Sequence, residues 1–263
     1  MALIVSTVIV LAVIGLLIGL LLVFASERFH VEVDPKEIAV REALPGNNCG
    51  ACGFAGCDAM AAAIAKGEAP VNGCPVGGAA AAEKISAVMG VQAEATERKV
   101  AFVRCAGTCG VAAEKGTYVG IASCAAAAAL PGKGAKSCQF GCLGFGSCAE
   151  VCQFGAISVA DGVAKVDSSK CRGCGLCANA CPQHLIDLVP AKATYIVTCS
   201  SRDKGAAVKA QCSAGCIGCS LCVKQCEHEA ITVTGNLAAI DQSKCVGCGK
   251  CAEKCPAGII RKQ

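Results

Sequence analysis

Twenty-five of the chain's 263 residues are cysteine, and their spacing says more than their number. They recur as tight triplets closed by a fourth: Cys171, Cys174 and Cys177 then Cys181, and Cys245, Cys248 and Cys251 then Cys255. Two cysteines with two residues between them rarely bridge each other well, but they readily grip one metal centre. The odd total also forbids complete pairing within the chain, so the pattern points to thiolate ligands in a reducing compartment rather than to a disulfide framework. The same thiolates could serve zinc or iron–sulfur clusters. The glycines between the ligands favour iron, because they let backbone amides turn toward cluster sulfurs without side-chain obstruction.

The first cysteine group is compact. Asn47-Asn48 leads into Cys49, Cys52 and Cys57, an alanine-rich stretch from Asp58 to Lys66 reads as helix, and the chain returns at Cys74-Pro75. Four thiolates in one short unit suggest one four-iron cluster. The later cysteines obey a repeat at a fixed offset of 74 residues. Cys138, Cys142, Cys148, Cys152, Cys171, Cys174, Cys177 and Cys181 map without a gap onto Cys212, Cys216, Cys222, Cys226, Cys245, Cys248, Cys251 and Cys255. Ala156-Ile157 likewise maps onto Ala230-Ile231, and Asp167 with Ser169-Lys170 onto Asp241 with Ser243-Lys244.

Each copy follows the pattern of bacterial two-cluster ferredoxins, in which the fourth cysteine of one run ligates the other run's cluster. On that pattern Cys152 joins Cys171, Cys174 and Cys177, Cys226 joins Cys245, Cys248 and Cys251, and Cys255 joins Cys216, Cys219 and Cys222. The remaining cluster departs from it, because Phe145 stands where the second copy has Cys219. We assign it Cys138, Cys142, Cys148 and Cys181, the alternative being a three-thiolate cluster with an open iron. Gln153 and Glu227 also replace the proline expected after Cys152 and Cys226. Cys105, Cys109, Cys124, Cys199 and Cys212 are then left over. A sixth cluster from Cys105, Cys109 and Cys124 with Cys212 or Cys199 competes with free thiols in a small packed module. The expectation is therefore at least five [4Fe-4S] clusters, and six if the leftover thiols hold one.

The elements that must position these ligands are small. With no Trp, 2 Tyr and 7 Phe, the chain cannot build one large core, so something other than burial must hold the fold. From Met1 to Phe24 there is no charge, which suits a membrane-spanning helix. No basic residue precedes this run, as a signal peptide would require, while Arg28, Lys36 and Arg41 follow it and place the C-terminal side in the cytoplasm. Gly15 and Gly19 form a GxxxG step, equally read as ordinary membrane-helix glycines. The fold class is α+β with small iron–sulfur modules. It comprises an anchor (1–26), a juxtamembrane helix or linker (27–46) ending at Pro45-Gly46, the four-cysteine module (47–82) and a connecting module (83–130). Two ferredoxin-like units follow (131–190 and 191–263). The runs Ala79 to Ala82 and Ala125 to Ala129 read as helices or compact turns.

Other chemistry is excluded. There is no phosphate-binding GxxxxGK[ST] loop and no nucleophile with its base, and His30, His184 and His228 are isolated. The last two follow cluster ligands, where an imidazole could tune a potential or simply face solvent. The formal charge of +4 counts thiols as neutral. Clusters would make the working protein acidic, and no basic patch interleaved with aromatics invites nucleic acid.

Taken together, the uncharged anchor, the NNCGxCGxxGC module with its distal Cys74-Pro75, and the ferredoxin repeats resemble the B subunit of the Rnf ion-translocating electron-transport complex. The second two-cluster unit resembles the family's extended form. The resemblance implies a single-pass protein of the inner, cytoplasmic membrane with its clusters on the cytoplasmic side. It would exchange electrons with soluble ferredoxin and pass them to membrane-embedded partners, while a flavin-bearing partner handles NAD and the flow is coupled to Na+ or H+ translocation. The residues alone leave two rivals: the relay of another respiratory dehydrogenase or reductase without ion pumping, and a structural zinc scaffold.

Overall fold

The computed structural model describes residues 2–28, 34–93 and 97–263, so His30 lies outside the described residues. Helix α1 (Ala2–Arg28) contains the stretch Ile4–Ala25, long and apolar enough to cross a membrane, with a mean hydropathy of 3.3 and none of it buried against the rest of the chain. It lies where the sequence places the anchor.

Next come α2 (Pro35–Ala43), α3 (Cys57–Ala65) and α4 (Gly78–Met89). Helix α2 begins where the sequence favours a start: Pro35 sits in the first turn, and the Asp34 side chain accepts the Lys36 N–H at 2.8 Å. Its Val40 is fully buried against Met60 and Ile64 of α3 and Ile85 of α4. Burying each of these large side chains is worth about 1.5–3 kcal/mol. Helix α4 stops at Gly90, whose φ of +70° suits a residue without a Cβ. The expected end of this module at residue 82 would have divided α4. The helix instead runs on to Met89 because Ile85 completes the three-helix core.

The rest of the chain consists of short elements: β1 (Lys99–Val103), α5 (Cys124–Ala129), α6 (Ser147–Glu150), β2 (Ile157–Ala160), β3 (Val163–Val166), α7 (Leu176–Ala180) and β4 (Ile186–Pro190). The second half continues with β5 (Tyr195–Val197), α8 (Gly205–Gln211), α9 (Leu221–Gln225), β6 (Ile231–Thr234), β7 (Leu237–Ile240), α10 (Lys250–Glu253) and β8 (Ile260–Lys262). Among the described residues they form four antiparallel ribbons, each of two strands. In the first unit β1 pairs with β4 (Val103 opposite Ile186) and β2 with β3 (Ile157 opposite Val166). In the second, β5 pairs with β8 (Val197 opposite Ile260) and β6 with β7 (Ile231 opposite Ile240). The hairpins turn at Asp161-Gly162 and Gly235-Asn236, where both central residues have positive φ, as the twist of a tight hairpin demands.

Two-stranded ribbons are marginal on their own in water. Here each pair closes over a core in which cysteines sit among the aliphatic residues. Cys148, Cys171 and Cys177 lie with Val100, Val163 and Leu185 in the first unit, and Cys216, Cys222 and Cys251 with Val197, Ile231 and Ile259 in the second. Strand β1 falls inside the connecting segment expected from sequence, yet it pairs with β4. The first unit therefore begins at Lys99, and residues 104–137 are an insertion between its first strand and its ligand run.

Candidate metal centres

The ligand loops are built the same way in both copies. Asp167 accepts the Cys171 N–H on its carbonyl at 3.0 Å and the Ser169 N–H and hydroxyl on its carboxylate at 3.0 and 2.5 Å. Asp241 does the same for Cys245 and Ser243. The hydroxyl and N–H of Ser169 and of Ser243 hold the Asp167 and Asp241 carboxyls below the usual aspartate range.

Among the described residues, five cavities are lined by four cysteines each. One gathers Cys152, Cys171, Cys174 and Cys177, a second Cys216, Cys219, Cys222 and Cys255, and a third Cys226, Cys245, Cys248 and Cys251. All three sets are those expected from the ferredoxin pattern. The fourth differs: Cys142, Cys148 and Cys181 are joined by Cys124, not Cys138. Cys124 opens α5, and its N–H donates to the Ser147 hydroxyl at 3.2 Å, which holds it beside Cys148. Phe145, standing in place of the missing cysteine, packs on Tyr118 of the insertion with ring centroids 4.9 Å apart.

Cys138 instead lines the fifth cavity with Cys105, Cys199 and Cys212. The leftover group expected from sequence is thus split. Cys105 and Cys212 stay together, Cys124 goes to the first ferredoxin unit, Cys199 and Cys138 complete the central set, and Cys109 is exposed outside all of them. The sequence did carry a signal for this, because Cys138 is the repeat partner of Cys212, which the second copy does not use in either of its own cavities.

In the N-terminal module, Cys52, Cys57 and Cys74 pack in one core, and the Cys74 thiol is acted on electrostatically by the other two. The Gly77 N–H donates to Cys74 Sγ at 3.3 Å, and Asn48 Oδ1 accepts the Cys57 N–H at 2.8 Å. Cys49 is not part of that core, and it acts electrostatically on the Cys174 thiol of the first ferredoxin unit.

The donor set fits a polynuclear iron–sulfur group better than a single ion. No disulfide forms among the 25 cysteines. Among the described residues, no three His, Cys, Asp or Glu side chains converge closely enough to hold one metal ion. A tetrahedral zinc with bonds of about 2.3 Å would need that convergence, whereas four cysteines ringing a cavity leave room for a larger body. Backbone amides also point at sulfur: Ala101 N–H donates to Cys171 Sγ at 3.3 Å and Ala156 N–H to Cys152 Sγ at 3.4 Å. Burial pushes the thiols of Cys148 and Cys222 up to about 11 and that of Cys177 up to about 12, so metal loading must displace their protons. His184 and His228 are exposed, the latter at the rim of the Cys226 cavity.

Comparison with known proteins agrees with this donor chemistry. Residues 44–76 match the family described as "Putative Fe-S cluster", residues 164–187 that described as "4Fe-4S binding domain", and residues 215–259 that described as "4Fe-4S dicluster domain". The chain is 45% identical over 236 residues to the B subunit of the Na(+)-translocating ferredoxin:NAD(+) oxidoreductase complex of Acetobacterium woodii, covering 89% of this chain and 71% of that one. It is 43% identical over 237 residues to the B subunit of the proton-translocating ferredoxin:NAD(+) oxidoreductase complex of Clostridium ljungdahlii, covering 89% and 83%. A third relative, the B subunit of the ion-translocating oxidoreductase complex of Methanosarcina acetivorans, is 43% identical over 241 residues, covering 91% of each. Identity of this extent, spread over most of the chain and joined to the same cluster motifs, means that the chain belongs to the family of B subunits of ion-translocating ferredoxin:NAD(+) oxidoreductase complexes.

Proposed function

We propose that the chain is the multi-cluster electron carrier of such a complex. It takes electrons from a soluble ferredoxin and relays them to membrane-embedded partners, while a flavin-bearing partner handles NAD. The observation that carries this reading is the succession of four-cysteine sites on a chain tethered by an uncharged helix. The ligands proposed are Cys49, Cys52, Cys57 and Cys74, Cys124, Cys142, Cys148 and Cys181, Cys152, Cys171, Cys174 and Cys177, Cys216, Cys219, Cys222 and Cys255, and Cys226, Cys245, Cys248 and Cys251. When bound, each cluster supplies one-electron chemistry at a potential set by its surroundings. The chain's own contribution is to order the sites and donate N–H bonds to their sulfurs.

The sites adjoin one another. Cys49 acts on Cys174, and Cys148 on Cys177, so the N-terminal module borders the first ferredoxin unit and that unit's two sites border each other. Arg28 at the end of the helix, with Lys36 and Arg41 beyond it, supports a cytoplasmic location for the sites.

Stopped-flow mixing of the anaerobic, purified chain with reduced ferredoxin tests the proposal. Bleaching of the visible iron–sulfur absorption, with one electron taken per ferredoxin cluster oxidised, is the expected result. A colourless protein holding zinc, or a brown one that ferredoxin does not reduce, would overturn it.

A further inference from the structure

Besides the exposed Cys109, four cysteines remain outside both the matched family segments and the ligand sets proposed so far: Cys105, Cys138, Cys199 and Cys212. They line one cavity, and the structure brings them there in a symmetric way. Cys105 lies two residues past the end of β1 and Cys199 two residues past the end of β5, the corresponding first strands of the two units. Cys138 and Cys212 are equivalent at the 74-residue offset. Each unit therefore gives the cavity one cysteine after its first strand and one at the head of its ligand run.

The contacts repeat as well. The Cys142 N–H donates to Cys105 Sγ at 3.3 Å, and the equivalent Cys216 N–H donates to Cys199 Sγ at 3.2 Å. Cys142 and Cys216 are themselves proposed ligands of the neighbouring site in each unit. The central cavity thus touches one ferredoxin site on either side, through the backbone of a ligand residue. A bare glycine faces it: a Cβ on Gly107 would lie 3.3 Å from Cys212 Sγ and 3.8 Å from Cys105 Sγ. Space is kept free beside two sulfurs where any side chain would intrude.

We infer that Cys105, Cys138, Cys199 and Cys212 hold a sixth [4Fe-4S] cluster at the seam of the two repeats, joining two otherwise separate pairs of sites into a single file. The file runs from the N-terminal module through the first unit, across the seam, and into the second unit. Each transfer across the seam oxidises the site on one side and reduces the site on the other by one electron, with no bond made or broken. The occupancy stands on the four thiols alone, and only the joining role rests on the relay reading.

Iron, acid-labile sulfide and zinc per chain, measured anaerobically on the full-length protein, test the occupancy. The expected iron is about 24 with equal sulfide, falling to about 20 in the double variant Cys199→Ala with Cys212→Ala, and equally in Cys105→Ala with Cys138→Ala, but not in Cys109→Ala. Iron of about 20 in the parent, unchanged in both double variants, would overturn the inference while leaving the relay intact. Zinc at the seam would also overturn it, and iron near zero everywhere would sink the relay reading instead. A variant that fails to fold is bypassed by alkylating the parent protein under anaerobic native conditions, followed by mass spectrometry. Label on Cys109 only is expected, whereas label on the four seam cysteines with the others protected would overturn the site. For the joining role, the intact complex carrying a seam variant should lose ferredoxin-dependent NAD reduction while retaining its other iron. Undiminished activity would refute the single file.

Discussion

The two ferredoxin units share a 74-residue repeat but complete their equivalent sites differently. In the second unit, Cys219 arrives from within the ligand run, on the loop between Cys216 and Cys222. In the first, Phe145 occupies that position and Cys124 arrives from the insertion at 104–137, steered by its N–H bond to Ser147. The insertion therefore replaces a lost ligand, and it can do so only because α5 docks against the loop that lost it. A site defined by where sulfurs end up tolerates large changes in where they come from in the chain.

The largest effect should come from exchanging the two solutions. Cys124→Ala should cost the first unit about four iron, as Cys219→Ala should the second. Adding Phe145→Cys to Cys124→Ala should restore the iron by converting the first unit to the second unit's arrangement. Iron analysis and EPR of the reduced protein check this. If Cys138→Ala rather than Cys124→Ala empties the first unit's site, the comparison breaks.

A smaller difference is expected at paired glycines inside the ligand triplets. Gly173 and Gly247 have φ of +66° and +74°, so alanine is strained at either, at a cost on the order of 1–3 kcal/mol. A Cβ at Gly247 would meet the Thr194 hydroxyl at 2.7 Å, a side chain with some freedom to turn. At Gly173 it would run into the Lys99 carbonyl, backbone held by β1. Gly173→Ala should therefore lower the melting temperature of the loaded protein more than Gly247→Ala. Equal losses would mean that strain alone, not the neighbour, sets the cost.

The smallest expected effect is electrostatic. Lys136 Nζ donates to the carbonyls of Gly107 and Gly162, both at 2.7 Å, which fixes a cation between the seam and the first unit. Its charge acts to lower the thiols of Cys142 and Cys212, although burial still holds both above their usual value. The equivalent residue in the second copy is Ala210. Lys136→Met should lower the reduction potentials of the seam and adjoining first-unit sites by roughly 40 mV, about 1 kcal/mol of screened charge interaction. The second unit's potentials should stay put in the same EPR-monitored redox titration.

Much of this arrangement is legible in the sequence because it is local. The anchor shows as an uncharged run, the helix after Cys57 as a run of alanines, and three ferredoxin sets as spacings of two residues closed by a distant partner. Expectation and structure part where a ligand has to be found across the fold. Cys138 lies four residues before Cys142, and nearness alone groups the two. Yet its repeat partner Cys212 stands equally near Cys216 and belongs to neither of the second unit's sites. Following the repeat rather than the nearness moves Cys138 to the seam. The start of the first unit is hidden for a similar reason: β1 is a five-residue strand whose partner, β4, begins at Ile186, far beyond any local pattern.

By itself the sequence determined the kind of chemistry, because thiolates spaced by two residues with glycines between them present several donors to one centre whatever the surrounding fold. It also determined the tether and the doubled unit, since both are periodic or contiguous features of the chain. Only the tertiary structure decided which of the isolated cysteines meet: Cys124 with Cys148, and Cys105 and Cys138 with Cys199 and Cys212. The physical reason is that a thiolate set drawn from distant parts of the chain is specified by the packing of two units against each other. That packing is encoded in strand pairing and buried aliphatic contacts distributed along the chain, and beyond the repeat match of Cys138 with Cys212 no spacing between cysteines records it.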